Sequence, residues 1–361
     1  MLFSSFRGLA GATALAATSL SLALPQNSDS SSTVCNNSPA LCSKQYNQVT
    51  YLGAHNSAFL RDDSTDDSIS GNQYLNATFA LDAGLRLMQA QIHAGDSPLQ
   101  LCHSSCGMMD AGPLQDWLAK IAVWMEANPH DVVTILLVNQ NEDATADDFG
   151  AAFDAAGLGK MAYTPQEPGT ATSSWPTLQS MIDENQRLVA FVTNIEYSSS
   201  APYILPEFDY VFETPFEVTT IDGFNCTLDR PSSVDSAASA LAGNMLSLVN
   251  HFKYQSLFGS VMVPDTDTLE TVNDPGTGET GNLGKHLTEC EAEWGVVPNF
   301  ALIDFWSTAQ PIEAVDAINK VNDASGREES PDGALSLAAH GSGQLGAGAL
   351  LTFICAALLL V

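Results

Sequence analysis

Two histidines stand where apolar runs give way to small polar residues: His55 in Gly53-Ala54-His55-Asn56-Ser57, and His103 in Leu99-Gln100-Leu101-Cys102-His103-Ser104-Ser105-Cys106. An imidazole titrates near neutral pH, so one ring can take a proton from a nucleophile while another delivers one to a leaving group. Cleavage of a phosphodiester by a hydroxyl of the same molecule needs that base and that acid. Cys102 and Cys106 bracket His103 closely enough to clamp its loop as a disulfide. Asp304 closes a late apolar run, where a carboxylate can orient His55 and stabilise its protonated form. A helix cap ahead of Ile312 is the competing use of Asp304, and Phe305 to Gln310 stand between the two.

Side chains so far apart in the chain meet only if the elements before them end at one place. Short runs rich in Val, Ile, Leu and Phe alternate with helical patterns, which is the order of parallel strands with crossover helices. The strands expected are Val49 to His55, Leu85 to His93, Leu99 to Cys102, Val132 to Asn139, Leu188 to Asn194, Tyr210 to Thr214, Met245 to Asn250 and Phe300 to Phe305. The clearest helix runs from Pro113 to Asn128, with others at Ala146 to Ala156, Thr177 to Asn185, Ser233 to Ala242, Gly284 to Trp294 and Ile312 to Val321. Roughly eight strand-helix units favour a single-domain (β/α)8 TIM-type barrel over an open sheet. Residues 45–322 show no linker, and Asp265 to Gly281 reads as a long surface loop. In such a barrel the C-terminal strand ends face one mouth, so His55, Gln89, Gln91, His93, Asn139, Asn194, His251 and Asp304 are candidates for one pocket. Tyr210, Phe212, His251 and Phe252 are aromatic faces suited to a sugar ring or, equally, to the core.

The 42 acidic and 12 basic residues give a formal charge of −30. Nucleic acid is excluded as a partner by that balance, and no basic patch for anionic membranes is evident. Residues 1–24 have Arg7 ahead of an apolar run that ends on small residues, the pattern of a secretory signal. Residues 345–361 are apolar and uncharged, behind a polar spacer at 323–344, which fits a glycosylphosphatidylinositol (GPI) attachment signal better than a transmembrane helix. The expectation is a secreted monomer, lipid-anchored to the outer plasma membrane or cell wall.

With Cys355 in the removable tail, Cys35, Cys42, Cys102, Cys106, Cys226 and Cys290 form an even set suited to an oxidising compartment. Proximity favours Cys35 with Cys42 in the segment 25–44, Cys102 with Cys106, and Cys226 with Cys290, among the roughly fifteen connectivities six cysteines allow. Sequons begin at Asn36, Asn76 and Asn225.

Taken together, Tyr51-Leu52-Gly53-Ala54-His55-Asn56-Ser57, Gly84-Leu85-Arg86-Leu87-Met88-Gln89-Ala90-Gln91, Leu101-Cys102-His103, Asp131 to Asn139 and Ile303-Asp304-Phe305 resemble the phosphatidylinositol-specific phospholipase C X-domain superfamily, in particular its secreted fungal members described as PLC-like phosphodiesterases. The resemblance implies a barrel in which His55 deprotonates the inositol 2-hydroxyl, the resulting oxygen attacks phosphorus to form a cyclic phosphodiester, and His103 protonates the departing diacylglycerol oxygen. Calcium-dependent relatives place an asparagine after the first histidine and acidic ligands on the following strands, whereas metal-free ones use cations there. Here Asn56 is retained, but Gln89, Gln91 and Asn139 occupy the later positions. Neutral amides are poor ligands for calcium. They suit hydrogen bonds to phosphoryl oxygens, so no metal and no cofactor is expected, and Asn56, Gln89, Gln91, Asn139 and His251 are the expected substrate-binding set. The reading is a cell-surface phosphodiesterase acting on an inositol phospholipid or related phosphodiester without calcium. The alternative is a catalytically idle lipid- or glycan-binding surface protein on the same barrel.

Overall fold

The computed structural model describes residues 33–258 and 261–328. The expected signal, the hydrophobic tail with Cys355 and most of the polar spacer lie outside the described residues. Twelve strands occur in chain order: β1 (Tyr51–Ala54), β2 (Leu87–His93), β3 (Gln100–Cys102), β4 (Asp110–Pro113), β5 (Val133–Asn139), β6 (Leu188–Val192), β7 (Ile204–Pro206), β8 (Val211–Glu213), β9 (Leu246–Asn250), β10 (Tyr254–Phe258), β11 (Val261–Pro264) and β12 (Phe300–Ile303). Eight of them pair in parallel in the order β7-β6-β5-β2-β1-β12-β9-β8. This is the curled sheet of a TIM-type α/β fold. Among the described residues no ladder joins β7 to β8, and the helix Glu207–Tyr210 connects them instead. β3 and β4 extend β2 as antiparallel strands, and β10 and β11 form a separate hairpin.

Alternation along the strands divides the core in two. Leu52, Ala54, Met88, Ala90, Ile135, Leu137, Ala190, Val249, Ala301 and Ile303 belong to one cluster with the helix residues Leu114, Leu118, Ile121, Phe149 and Leu287. Tyr51, Leu87, Leu136, Val189, Phe191, Leu248, Phe300 and Leu302 form the other, inside the curl. Tyr46 and Trp175 plug that inner core at the N-terminal end of the strands, with ring centroids 4.7 Å apart, and Tyr46 is hydrogen-bonded to Thr134 at 2.6 Å. Each apolar run therefore had to be buried on both faces, which is why it reads as continuous rather than alternating in sequence.

The helix Leu114–Ala127 begins at Pro113, whose fixed φ and missing N–H suit a first turn, and it turns Leu114, Trp117, Leu118, Ile121 and Met125 toward the sheet. Leu283–Trp294 and Ile312–Asn319 cover the other side, close to their expected spans. Four short strands, β4, β7, β10 and β11, were not expected, because three to five residues are too few to show a period. The expected loop from Asp265 to Gly281 also carries a helical turn at Leu269–Val272.

Among the described residues three disulfides occur, Cys35–Cys42, Cys102–Cys106 and Cys226–Cys290. The sequon at Asn36 is corrected: its side chain is buried, donating to the Val132 carbonyl and accepting from the Val132 N–H, so the folded chain has no free amide there for a glycan. Asn76 and Asn225 are exposed.

Candidate active site

β1 ends at Ala54, and the His55 backbone N–H still donates to the Ile303 carbonyl at the end of β12. That places His55 beside Asp304. Their Nδ1 and Oδ1 atoms are 2.8 Å apart, and Asn72 Nδ2 donates to the same oxygen at 2.9 Å. A carboxylate accepts only, so the His55 proton sits on Nδ1 and Nε2 is left as the basic nitrogen. Phe252 lies flat against the imidazole, centroids 3.7 Å apart and planes 3° from parallel. Gln73 Nε2 donates to the carbonyls of both His55 and Ile303, fixing the two strand ends to each other.

His103 follows β3 inside the loop that Cys102 and Cys106 close with a Cα separation of 4.7 Å. Its backbone N–H donates to Met109, and Gln91 Oε1 accepts from the Ser104 N–H at 3.1 Å. The ring is buried beside Phe59, with no hydrogen-bond partner for Nδ1 in the described structure. Burial, reinforced by the nearby His55 and His93, pulls its pKa down to about 4.

His55 opens on a cavity of about 160 Å³ whose walls include Gln89, Gln91, Val138, Glu213, Arg230, Asn250, Phe252 and Tyr254. Arg230 is the one cationic side chain on that wall among the described residues. It is ion-paired to Glu213, lies over the Phe216 ring at 4.4 Å, and keeps a buried Nε without a partner. Asn250 also donates to Glu213, at 3.1 Å. Behind them Glu207 is fully buried, and burial together with the Glu213 charge pushes its carboxyl well above the usual carboxylate range.

Three of the expected binding residues lie elsewhere: Asn56 is fully buried off the cavity wall, with neither side-chain polar atom hydrogen-bonded. Asn139 does not line the cavity: the pleat gives Leu136 and Val138 to the interior, and Asn139 instead ties the ends of β5 and β6 through Asn141, Thr193 and Asn194. His251 is fully buried on the outer side for the same reason, between Asn250 and Phe252, which do face the cavity. Gln89 and Gln91 are on the cavity wall, where each also holds a histidine turn: Gln89 Oε1 accepts the Asn56 N–H at 2.5 Å. The amide set is a poor fit for calcium, because Gln89, Gln91 and Asn139 offer only neutral oxygens, each of which already accepts one backbone N–H.

A family model described as PI-PLC X 1 matches residues 41–319. The chain belongs to the PI-PLC X family. A PI-PLC X domain-containing protein 1 from Arthroderma benhamiae is 32% identical over 79% of this chain and 89% of its own length. An uncharacterized secreted protein of the same organism is 33% identical over 76% of this chain, which spans 60% of that relative. The fold is shared with a mutant of the phosphatidylinositol-specific phospholipase C from Staphylococcus aureus, at a TM-score of 0.51 and 12% identity over 80% of this chain and 97% of that one. Sequence reasoning did not single out Glu213 and Arg230 on the cavity wall, nor Asn72, Gln73 and Glu207 packed around the candidate site. They arrive from short elements and loops without periodicity. The faint signal available was Asn72-Gln73, a pair of amides after a stretch, Asp62 to Gly71, that is small and acidic apart from Ile69.

Proposed function

We propose that this protein is a phosphodiesterase that cleaves an inositol phospholipid, or a related phosphodiester carrying a neighbouring hydroxyl, through a cyclic phosphate. The observation that carries the reading is the His55–Asp304 pair at the cavity, with His103 close enough for the two imidazoles to repel each other electrostatically. His55 Nε2 takes the proton of the attacking hydroxyl while its Nδ1–H is held by Asp304. The oxygen forms the new bond to phosphorus, and the ester oxygen leaves with the proton of His103. Because nucleophile and phosphorus share one molecule, positioning supplies much of the rate advantage. In the free protein His103 is neutral near pH 7, so an anionic phosphate beside it serves a second purpose by raising its proton affinity. Arg230, with its unpartnered Nε, supplies the positive charge that the neutral strand-end amides lack.

The leader-like residues 1–24, the apolar residues 345–361 and the name of the secreted relative support secretion with a lipid anchor. Release of the protein from intact cells by a bacterial phosphatidylinositol-specific phospholipase C tests the anchor, and retention in the membrane after that treatment counts against it.

The activity is tested by incubating the secreted chain with phosphatidylinositol and chelator and following phosphorus resonances for cyclic inositol phosphate. Product should form, and His55→Ala and His103→Ala should each lower turnover by roughly 10²–10⁴-fold with the fold intact. Lipid binding without product in the unaltered chain would instead favour the binding-protein reading.

A further inference from the structure

The residue that the pleat turns away from the mouth, His251, belongs to a second cluster. His251 and His286 face each other through their Nδ1 atoms at 2.9 Å, and each Nε2 meets a backbone carbonyl, Val272 at 2.8 Å and Asn225 at 3.1 Å. A carbonyl only accepts, so these three contacts require three N–H groups, while two neutral imidazoles carry two. Neutral rings with both carbonyls satisfied place two lone pairs against each other, and the pair is short of one cation. Both side chains are buried, at 0% and 3% exposure, where an uncompensated charge is costly.

The cluster also contains the means of balancing that charge. His286 and Cys290 lie one turn apart on one face of the helix Leu283–Trp294. The ligand atoms of Cys226, His286 and Cys290 all lie within 4.8 Å of one another, and all three residues are buried. A divalent cation bound by two thiolates and neutral imidazoles is a site of zero net charge; His251 stands outside the close trio and reaches it through its 2.9 Å contact with His286.

We propose that opening the Cys226–Cys290 disulfide converts the trio Cys226, His286 and Cys290 into a Cys2His2 site for zinc or a similar divalent cation, with the adjoining His251 drawn in as the fourth ligand. The donor set is that of tetrahedral structural zinc sites. A phosphine reductant and one water turn the disulfide into two thiols and a phosphine oxide, and metal binding then releases the two thiol protons. Disulfide and metal are alternative clasps for the same 64-residue span, and the metal adds the end of β9 through His251.

The test is a cysteine footprint on the whole secreted chain. The protein is reduced anaerobically with a phosphine, pulsed with iodoacetamide with and without one equivalent of zinc, and mapped by mass spectrometry. Zinc should slow alkylation of Cys226 and Cys290 by at least about tenfold while leaving Cys35, Cys42, Cys102 and Cys106 unchanged. Cobalt in place of zinc should give tetrahedral thiolate bands, and His286→Asn should abolish both the bands and the protection. Equal alkylation of Cys226 and Cys290 with and without zinc overturns the proposal, as does protection that survives in His286→Asn. Loss of structure on reduction that zinc does not prevent leaves the alkylation unslowed and overturns it equally.

Discussion

Each of the three side chains proposed for acid–base chemistry is followed at once by a residue with left-handed backbone: Asn56 at φ 50° after His55, Ser104 at φ 59° after His103, and Phe305 at φ 47° after Asp304. Only the asparagine adopts that conformation readily, and an aromatic residue there is strained by about 1–3 kcal/mol. The turn ends the preceding run and sends the chain aside, leaving the side chain at the rim. This feature was legible at Asn56 and hidden at Ser104 and Phe305, because nothing in those residue types announces a positive φ. The pKa of His103 gives the residue-scale prediction. Its folded value of about 4 lies below the ordinary 6.5, so the neutral ring is the one the fold favours. As pH falls through that interval the unfolded chain gains a proton that the folded one refuses. The His103 contribution is therefore complete above pH 6.5 and is lost toward pH 4, at a limiting slope of roughly 1.4 kcal/mol per pH unit. Chemical denaturation at a series of pH values should show His103→Gln less acid-sensitive than the unaltered chain in that window. Identical slopes would mean that the ring titrates normally.

At the scale of elements, the strands were legible because both their faces are buried, and the positions at their ends because a parallel barrel brings such ends together. Side-chain direction was not. Asn139 and His251 were assigned to the mouth by their place in the chain, yet the pleat gives the interior to Val138, Asn250 and Phe252. A one-residue uncertainty in where a strand starts reverses that assignment, and apolar runs buried on both sides carry no alternation to settle it. Gly53 shows how tightly β1 is held. A Cβ there would lie 2.7 Å from the Leu87 side chain and 2.8 Å from that of Leu302. Gly53→Ala should therefore cost about 1–3 kcal/mol by overpacking. Because His55 stands two residues further along the strand, kcat/KM should fall as well. A single variant with unchanged melting temperature and activity would show that β1 has slack that the packing denies.

Considered whole, the molecule sets its candidate site and its buried charged lock at opposite ends of the sheet. The cavity gathers neutral amides, His55 and Glu213 around Arg230, while the opposite end of the sheet is closed by a second arginine. Arg86, at 3% exposure, donates from Nε and Nη2 to Asp131, from Nη1 to the Leu81 and Leu85 carbonyls, and from Nη2 also to Asn37. Asn37 in turn donates to the Ser325 carbonyl, so the guanidinium joins the start of β2, the segment before β5 and both ends of the described chain. The Arg86 and Asp131 positions lie within segments that the sequence marked as family-like, but their pairing across 45 residues carried no local signal. Removing one partner of such a buried pair leaves the other's charge without compensation, which costs about 3–5 kcal/mol, whereas replacing both with apolar residues is often nearly neutral. Arg86→Met should accordingly lower the free energy of unfolding by that amount, and Arg86→Met with Asp131→Leu should recover most of it. Since β2 is seven residues long, Arg86 lies roughly 20 Å from the mouth. Turnover per folded molecule should then be unchanged in both variants, measured well below their melting temperatures. Loss of turnover in a chain that remains folded would show that the closed end and the mouth are coupled, and that the sheet is less rigid than its two-layered core implies.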